Sequence, residues 1–188
     1  MKLLSFCAAL LLVGAVPAAA CAASPGQLAI SSPALKGKTT LKVTSPVLHA
    51  GAPIPDEFTS YGTNLSPPLS WSRGPYGSRS FALVLEDPDA PMASPFVHWV
   101  MWNIPLGSTS LKAGETPAGA VQGKMGVGKT GYFGPRPPAG PAHHYHFEVF
   151  ALDQTPDLKG DADLKALTAA MAGHVLASGE LVATYQKQ

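Results

Sequence analysis

The distribution of apolar and polar positions along the chain predicts several β-strands joined by loops. Successive side chains of a strand point to opposite faces, so a strand buried on one face alternates between apolar and polar residues. This alternation is strongest at 78–87 (SRSFALVLED) and 143–153 (HHYHFEVFALD), and it is weaker at 41–48 and 181–185. The segment 96–105 (FVHWVMWNIP) is apolar on both faces, which is typical of a central strand covered on both sides.

One amphipathic helix is predicted near the C-terminus. Its start can be capped by Asp161 or Asp163, and Gly179 is expected to end it. The apolar positions that recur at spacings of three and four residues are Leu164, Leu167, Met171 and Val175. The chain also holds 19 glycines and 19 prolines, and such punctuation suits short strands better than a helical bundle. The fold class predicted is therefore mainly β, in a single domain.

The first 20 residues are predicted to be a secretory signal peptide. They carry Lys2, an apolar run over 3–16 and small residues that end in Ala18-Ala19-Ala20, the pattern of a signal-peptidase site. The apolar run is too short for a membrane span. Cys21 leaves two alternatives open: plain export to the periplasm or the medium, or lipid attachment at Cys21. The second alternative lacks the leucine that lipidation patterns usually have at the position of Ala18.

The rest of the chain divides into a predicted flexible tether over 21–40, which is small and polar, and a domain over 41–188. Outside the signal peptide, basic and acidic side chains are equal in number. The net charge therefore gives no reason to expect nucleic acid or an anionic membrane surface as a partner. Cys7 leaves with the signal peptide, so Cys21 alone remains and no disulfide can form within the mature chain.

Three closely spaced histidines invite the hypothesis of a metal site, but the strand period separates them. His143 shares a face with Tyr145, whereas His144 and His146 share the other face with Glu148. That second set is predicted to be a polar ladder on a solvated face. The motifs G-x-S-x-G, H-E-x-x-H, C-x-x-C and Walker A are absent. No metal ion, cofactor or catalytic residue is therefore expected.

Polar residues at the ends of the three strong strands predict a pocket at the rim of the core. Asp87 ends the first strand in phase with its apolar row, and His98 lies near the start of the second. His143 and Tyr145 begin the third strand, and the four side chains converge if the strand ends are neighbours. Alternatives remain for each: Asp87 and Asp89 are common turn formers, His98 could serve the core, and His143 could have no special role.

Three motifs in order resemble the phosphatidylethanolamine-binding protein (PEBP) family, which includes the Raf kinase inhibitor protein. They are DPDAP (87–91), HWVMWNIP (98–105) and GYFGPRPPAGPAHHYHFEVFALD (131–153). The segments YGTNLSPPLSW (61–71) and MAGHVLASGELVATY (171–185) also match, most closely the bacterial branch. The resemblance implies a large antiparallel β-sheet packed on a smaller sheet, with a few peripheral helices. It also implies a small pocket for phosphate, acetate or a phospholipid head group.

The resemblance further implies which residues line that pocket. An acidic pair and a proline come from the first motif, a histidine from the second, and a glycine-proline wall with a histidine and a tyrosine from the third. The matching ligand-binding positions are Asp87, Asp89, Pro91, His98, Gly134, Pro135, His143 and Tyr145. Two positions depart from the family pattern. His144 replaces an arginine that follows the motif histidine, and Arg136 replaces a cysteine of the bacterial branch.

The function implied is that of an exported, non-enzymatic protein that binds a small anionic or phosphorylated ligand. Histidines can donate hydrogen bonds to phosphate oxygens, whereas a carboxylate beside them repels an anion unless it orients an imidazole. Asp87 is therefore expected to hold a histidine, while His98 and His143 meet the ligand. The alternative suggested by relatives is an inhibitor or regulator of a kinase or protease that acts by protein–protein contact. A hydrolase has no activated nucleophile or metal set to support it.

Overall fold

A computed structural model describes residues 26–188 as one large β-sheet, one small β-sheet and a short helix. The strands are β1 (Thr39–Thr40), β2 (Val43–Thr44), β3 (Leu69–Trp71), β4 (Ser80–Asp87), β5 (Phe96–Pro105), β6 (Ser110–Leu111), β7 (Val121–Gln122), β8 (His143–Leu152) and β9 (Val175–Tyr185). The helix α1 spans Leu164–Met171, and 3-10 turns occur at Ala29–Ser31, Pro33–Leu35 and Asp56–Phe58. The predicted signal peptide and Cys21 lie outside the described residues.

The large sheet has the strand order β1-β9-β8-β4-β5-β7, and the small sheet has the order β2-β3-β6. Every pair is antiparallel except β1 and β9, which run parallel over two residue pairs. The prediction of a mainly β fold with a large and a smaller sheet is confirmed. None of the helices described here is long and apolar enough to cross a membrane.

The alternation predicted for β4 separates two cores. Phe81, Leu83 and Leu85 pack between the large and small sheets, against residues such as Leu69 and Trp71 of β3. The opposite face of the same strand packs in a second cluster beneath α1 and the N-terminal turns, which contains Ala82, Val84, Val100, Trp102, Phe150, Leu167 and Met171. Both faces of β4 and β5 are thus covered, which explains why 96–105 has apolar residues on both faces.

The N-terminal segment differs from the tether predicted for 21–40. Ala29 and Leu35 are 2% and 1% exposed, and both belong to the second core cluster. The following residues, Thr39–Thr40, add the parallel edge strand to β9. Gly37 permits the close approach, because a Cβ there would lie 2.5 Å from the Cα of Ala177. This segment of small residues therefore packs onto the sheet, although its sequence has neither strand nor helix periodicity.

The boundary between α1 and β9 also differs from the prediction. Asp163 caps the helix by accepting a hydrogen bond from the N–H of Ala166 (2.9 Å), but the helix ends at Met171, ahead of Gly173 with φ of 80°. Val175 begins β9 instead of closing the helix, and Gly179 lies inside that strand. A Cβ at Gly179 would lie 2.0 Å from the carbonyl oxygen of Leu41, so this glycine serves close packing. The final strand is accordingly longer than 181–185.

The strand predicted over 41–48 shrinks to Val43–Thr44, with β1 lying just before it. Pro46 interrupts the segment, and Ser45 turns the chain: its hydroxyl donates to the carbonyl of Pro68 and accepts from the N–H groups of Val47 and Leu48. A proline cannot donate to a strand ladder. The alternation over 41–48 therefore reflects burial of Leu41, Val43 and Leu48 without an extended ladder.

Candidate functional site

The ends of three neighbouring strands bring the predicted pocket residues together. β4 lies between β5 and β8, with Asp87 opposite Phe96 and Glu86 opposite His146. Asp87, His143 and Tyr145 therefore lie together at one end of these inner strands, on the face that packs against the small sheet, and a β-bulge in β5 between the partners of Leu85 and Glu86 turns His98 to the same face. All four are less than a tenth exposed. The result is a compact polar cluster at the end of an apolar core.

The contact between Asp87 and His143 organises this cluster. Asp87 Oδ2 lies 2.8 Å from His143 Nδ1. The other carboxylate oxygen, Oδ1, accepts the backbone N–H of Asp89 (2.9 Å) and so fixes the turn that follows β4. Because the carboxylate accepts the Nδ1 proton, the imidazole is oriented with Nε2 as its remaining nitrogen. This is the orienting role expected for Asp87.

His98 is held by a carbonyl group. Its Nδ1 donates to the backbone oxygen of Phe133 (2.7 Å), and the N–H of Phe133 donates back to the carbonyl of His98 (3.0 Å). The ring stacks on Phe133 and meets Phe96 and Tyr145 edge-on, with centroid distances of 5.8, 4.7 and 5.2 Å. Burial lowers the pKa of His98 to about 4, against the opposing effects of the Phe133 hydrogen bond and the Asp87 charge. The ring is thus neutral at pH 7, with Nε2 as a lone-pair acceptor.

Tyr145 contributes a hydroxyl that the fold does not use. Its Oη is buried and makes no hydrogen bond of ordinary geometry among residues 26–188, although the Asp87 carboxylate lies close enough to act on it as an acceptor. Burial, together with the negative charge of nearby Asp87, raises the pKa of this phenol well above its usual range. A buried polar atom without a partner is uncommon and costs free energy. The cluster therefore contains one hydroxyl donor that the protein itself pairs poorly.

The wall formed by Gly134 and Pro135 is held by two polar residues, Ser60 and Asn64, that the sequence did not identify as part of the site. Asn64 Oδ1 accepts the N–H of Gly134 (2.7 Å), and Ser60 donates from its hydroxyl to the carbonyl of Gly134 (2.9 Å) and from its backbone N–H to that of Pro135 (3.0 Å). Asn64 has φ of 58°, a left-handed conformation that asparagine tolerates. This conformational tolerance of asparagine is the sequence feature that could have pointed to Asn64 within YGTNLSPPLSW.

Gly134 cannot be replaced without moving this wall. A Cβ at this position would lie 2.6 Å from the carbonyl oxygen of Phe58 and 2.8 Å from the backbone of Thr59. The glycine is buried, and its backbone passes directly over the 3-10 turn at Asp56–Phe58. The glycine at this position therefore reflects a close backbone approach and not a turn conformation.

Asp89 and Pro91 lie outside the buried cluster. Both are exposed, and the Asp89 carboxylate accepts from both the backbone N–H and the Nδ1 of His144, each at 2.7 Å. Burial acts to raise the pKa of Asp89, but the two bonds from His144 and its charge lower it below the usual value. His144, which replaces the arginine of the family pattern, thus supplies a partner for Asp89. Every peptide bond of the described residues is trans, Ala90–Pro91 included.

The strand period divides the three histidines of β8 as predicted. His143 and Tyr145 are buried on the pocket face, while His144 is exposed on the other and His146 Nδ1 pairs with Glu180 Oε2 (2.7 Å). No group of three or more His, Cys, Asp or Glu side chains within residues 26–188 is placed to hold a metal ion. The histidine run therefore serves two separate sets of contacts.

The polar ladder predicted on that other face, His144, His146 and Glu148, is buried at Glu148. Glu148 is 0% exposed and Glu86 is 2% exposed, and the N-terminal turn covers both. The N–H of Ala29 donates to Glu86 Oε2 (2.7 Å), and the N–H of Ile30 donates to Glu148 Oε2 (2.9 Å). The expectation of surface residues is wrong for Glu148, because 26–40 packs over this face instead of forming a tether.

Comparison with known proteins identifies the family to which this arrangement belongs. The family model described as phosphatidylethanolamine-binding protein matches residues 44–186. The chain belongs to the phosphatidylethanolamine-binding protein family. A UPF0098 protein of Methanothermobacter thermautotrophicus is 44% identical over 139 residues, which cover 71% of this chain and 91% of that protein.

Two further relatives of this PEBP chain extend the comparison. The crystal structure of Escherichia coli YbcL, described as a member of the mammalian PEBP family, superposes with a TM-score of 0.75 at 32% identity and covers 80% of this chain and 100% of that one. A Mycobacterium tuberculosis protein named "Putative lipoprotein LppC" is 40% identical over 151 residues, 78% of this chain and 72% of that protein. Fold and family are thereby established, and a ligand-binding function is the one that the family suggests.

Proposed function

We propose that this PEBP-family protein is a non-enzymatic binding protein that takes a small anionic or phosphorylated ligand, either phosphate or a phospholipid head group. The ligand binds at the cluster of Asp87, His98, His143 and Tyr145, beside the wall of Gly134 and Pro135. Asp89 and Pro91 lie exposed on the loop after β4, outside this cluster. The family assignment supports a ligand-binding role, and the geometry of the cluster supports the choice of ligand.

The observation that carries the proposal is a buried polar cluster whose hydrogen-bonding capacity is only partly used. Asp87 pairs with Nδ1 of His143, and Phe133 pairs with Nδ1 of His98, so both rings are fixed with Nε2 as the remaining nitrogen. The unpartnered hydroxyl of Tyr145 adds a third group. Buried polar groups normally pair within the protein, so a cluster that leaves them over is best explained by a ligand that completes the pairing.

Proton uptake accompanies anion binding in this scheme. A neutral His98 presents a lone pair at Nε2, which repels a phosphate oxygen unless a proton lies between them. Protonation of the imidazole on binding supplies that proton. Because burial holds the pKa of His98 at about 4, a bound anion raises it. The affinity for phosphate is therefore expected to increase as the pH falls.

The test is an NMR titration of the protein with inorganic phosphate, repeated for His98→Ala and for His174→Ala as a matched control. His174 is exposed and pairs with Asp153 beyond the far end of β8. Wild type and the control are expected to show the same saturable shifts, confined to 87–98 and 134–145. The His98→Ala variant is expected to show none, with a dispersed spectrum that confirms folding. Unchanged binding by His98→Ala would contradict the assignment.

If no small anion perturbs these residues in wild type, the pocket assignment fails. A role as a protein inhibitor or regulator of a kinase or protease would then gain.

We further propose that the protein is exported, either as a free periplasmic or secreted protein or anchored through a lipid at Cys21. The apolar first 20 residues of the sequence support export, and the relative named as a lipoprotein supports the anchored form. Mass spectrometry of the membrane and soluble fractions of the native host distinguishes the two forms. A mature chain beginning at Cys21 with attached acyl groups supports the anchor, and an unmodified chain in the soluble fraction contradicts it.

A further inference from the structure

Two cationic side chains meet over one exposed aromatic ring beside the candidate pocket. The guanidinium carbon of Arg136 lies 5.9 Å from the centroid of Tyr61, and the ammonium nitrogen of Lys187 lies 5.1 Å from it. Both distances fall within the range of a cation–π contact. Tyr61 is 40% exposed, so a ligand can reach this group. We call Arg136, Lys187 and Tyr61 the cationic rim.

The cationic rim adjoins the pocket on two sides: through Tyr185, and through the chain that follows the Gly134–Pro135 wall. Tyr61 stacks on Tyr185 with a centroid distance of 6.1 Å, and Tyr185 is paired directly with His143 across β9 and β8. Directly paired residues have Cβ atoms about 5 Å apart on the same face. On the other side, Arg136 follows the Gly134–Pro135 wall, and the hydroxyl of Tyr61 donates to the carbonyl of Pro137 (2.7 Å).

The cations of the rim are not neutralised by protein carboxylates. Neither Arg136 nor Lys187 forms an ion pair within 4.0 Å among residues 26–188. The neighbouring acid is Asp56, which accepts a hydrogen bond from the hydroxyl of Tyr185 (2.9 Å). The two positive charges therefore lie on the exposed Tyr61 ring, and the Asp56 carboxylate lies on the Tyr185 side of the stack.

We propose that the cationic rim binds a second anionic group of the ligand, so that the pocket selects molecules with two negatively charged ends. This inference rests on the proposed function, because it requires the first anionic group to lie at His98 and His143. A phosphate monoester with a second phosphate or a carboxylate fits this arrangement. A ligand whose second end is an ammonium group, such as an ethanolamine phosphate, meets like charge at Arg136 and Lys187.

The test compares ligands that differ only in the sign of the second end. Alkyl bisphosphates and ω-aminoalkyl phosphates with two- and four-carbon spacers are titrated calorimetrically, with inorganic phosphate as the reference. Wild type is expected to bind the better-fitting bisphosphate about 10-fold more tightly than the matching aminoalkyl phosphate, a difference that corresponds to about 1.4 kcal/mol. Equal affinities for the two series would overturn the proposal.

Two variants separate the rim from the pocket and from net charge. The double variant Arg136→Gln/Lys187→Gln is expected to lose the preference for bisphosphates while its affinity for inorganic phosphate changes less than about twofold. Arg79→Gln removes a charge directly before the start of β4, at the end of that strand opposite to Asp87. This variant is expected to behave as wild type. A rim variant that keeps the full preference refutes the inference and leaves the pocket intact. Absence of phosphate binding by wild type refutes both the rim and the pocket.

A final arm distinguishes a lipid from a free metabolite as the source of the two anionic groups. Phosphatidylcholine vesicles with and without phosphatidylinositol 4-phosphate are sedimented with the protein. Binding only to the doped vesicles, and its loss in the rim variant, assigns the lipid source. Binding of soluble bisphosphates without vesicle binding assigns the free source. Failure of both ligand forms to distinguish wild type from the rim variant contradicts the proposal.

Discussion

The buried glutamates beneath the N-terminal turn predict that the protein loses stability as the pH rises from mildly acidic to neutral. Glu86 is 2% exposed, and its carboxylate accepts one hydrogen bond, from Ala29. Burial raises the pKa of Glu86 from 4.5 to about 7, against the opposing effects of the Ala29 bond and the His146 charge. Burial and the charge of Glu86 also raise the pKa of Glu148. The folded state is therefore destabilised when both carboxyl groups are ionised.

The sign of the effect follows from where the proton is held. The folded protein binds a proton at Glu86 that the unfolded chain has already released, so stability is fully present below pH 4.5 and is lost as the pH rises to about 7. A pKa raised from 4.5 to about 7 corresponds, at about 1.4 kcal/mol per pH unit, to about 3 kcal/mol. Glu86→Gln is neutral at every pH, and its amide oxygen still accepts from Ala29, so this variant avoids the loss.

Urea unfolding at several pH values between 5 and 8 measures the difference between the two proteins. The free energy of unfolding of Glu86→Gln relative to wild type is expected to increase by about 2–3 kcal/mol over this range. Glu57→Gln is the matched control, because Glu57 is exposed, and it is expected to follow wild type. Parallel curves for wild type and Glu86→Gln would refute the reasoning that the buried carboxyl holds a proton in the folded state.

Three further predictions concern the candidate site. Tyr145→Phe removes a buried hydroxyl that makes no hydrogen bond of ordinary geometry and is expected to cost less than the contribution of a well-formed hydrogen bond, about 1 kcal/mol; a loss of that size or more in urea unfolding would show that the hydroxyl is firmly bonded to Asp87. Gly134→Ala places a Cβ 2.6 Å from the Phe58 carbonyl and is expected to cost about 2 kcal/mol, measured by thermal unfolding; an unchanged midpoint would contradict the close approach. Phosphate binding is expected to take up protons because the pKa of His98 is held at about 4; calorimetry in buffers of different ionisation enthalpy measures the uptake, and equal heats would contradict it.

The strands that carry the site could be predicted from the sequence because each is buried along most of its length. In β4 and β8, the period of two places Asp87, His143 and Tyr145 in phase with apolar rows that meet between the two sheets. In β5 the same period was wrong for His98: its row of Val100 and Trp102 faces the other core, and the register shift between Leu85 and Glu86 turns His98 toward Tyr145. The resemblance to the family added the wall at Gly134 and Pro135. Neither source identified Asn64, since its role depends on a contact with residue 134 that no local pattern records.

The parts that could not be predicted depend on tertiary contacts between segments that lack periodicity. Residues 26–40 are small and polar, yet they supply two backbone N–H groups to buried carboxylates and an edge strand to β9. Glu148 was expected in solvent because its neighbours His144 and His146 are polar, and only the position of the N-terminal turn shows that it is buried. At 164–179 the spacing of Met171 and Val175 continues a helical pattern across the turn at Gly173.

The central claim, that the cluster of Asp87, His98 and His143 binds an anion, is tested most directly at the ring nitrogens themselves. Nitrogen NMR of histidine-labelled protein at neutral pH reports whether each Nε2 carries a proton. The account predicts that saturating phosphate shifts His98 and His143 Nε2 toward the hydrogen-bonded or protonated state, while His174 is unchanged. Identical Nε2 resonances of His98 and His143 with and without phosphate would contradict it.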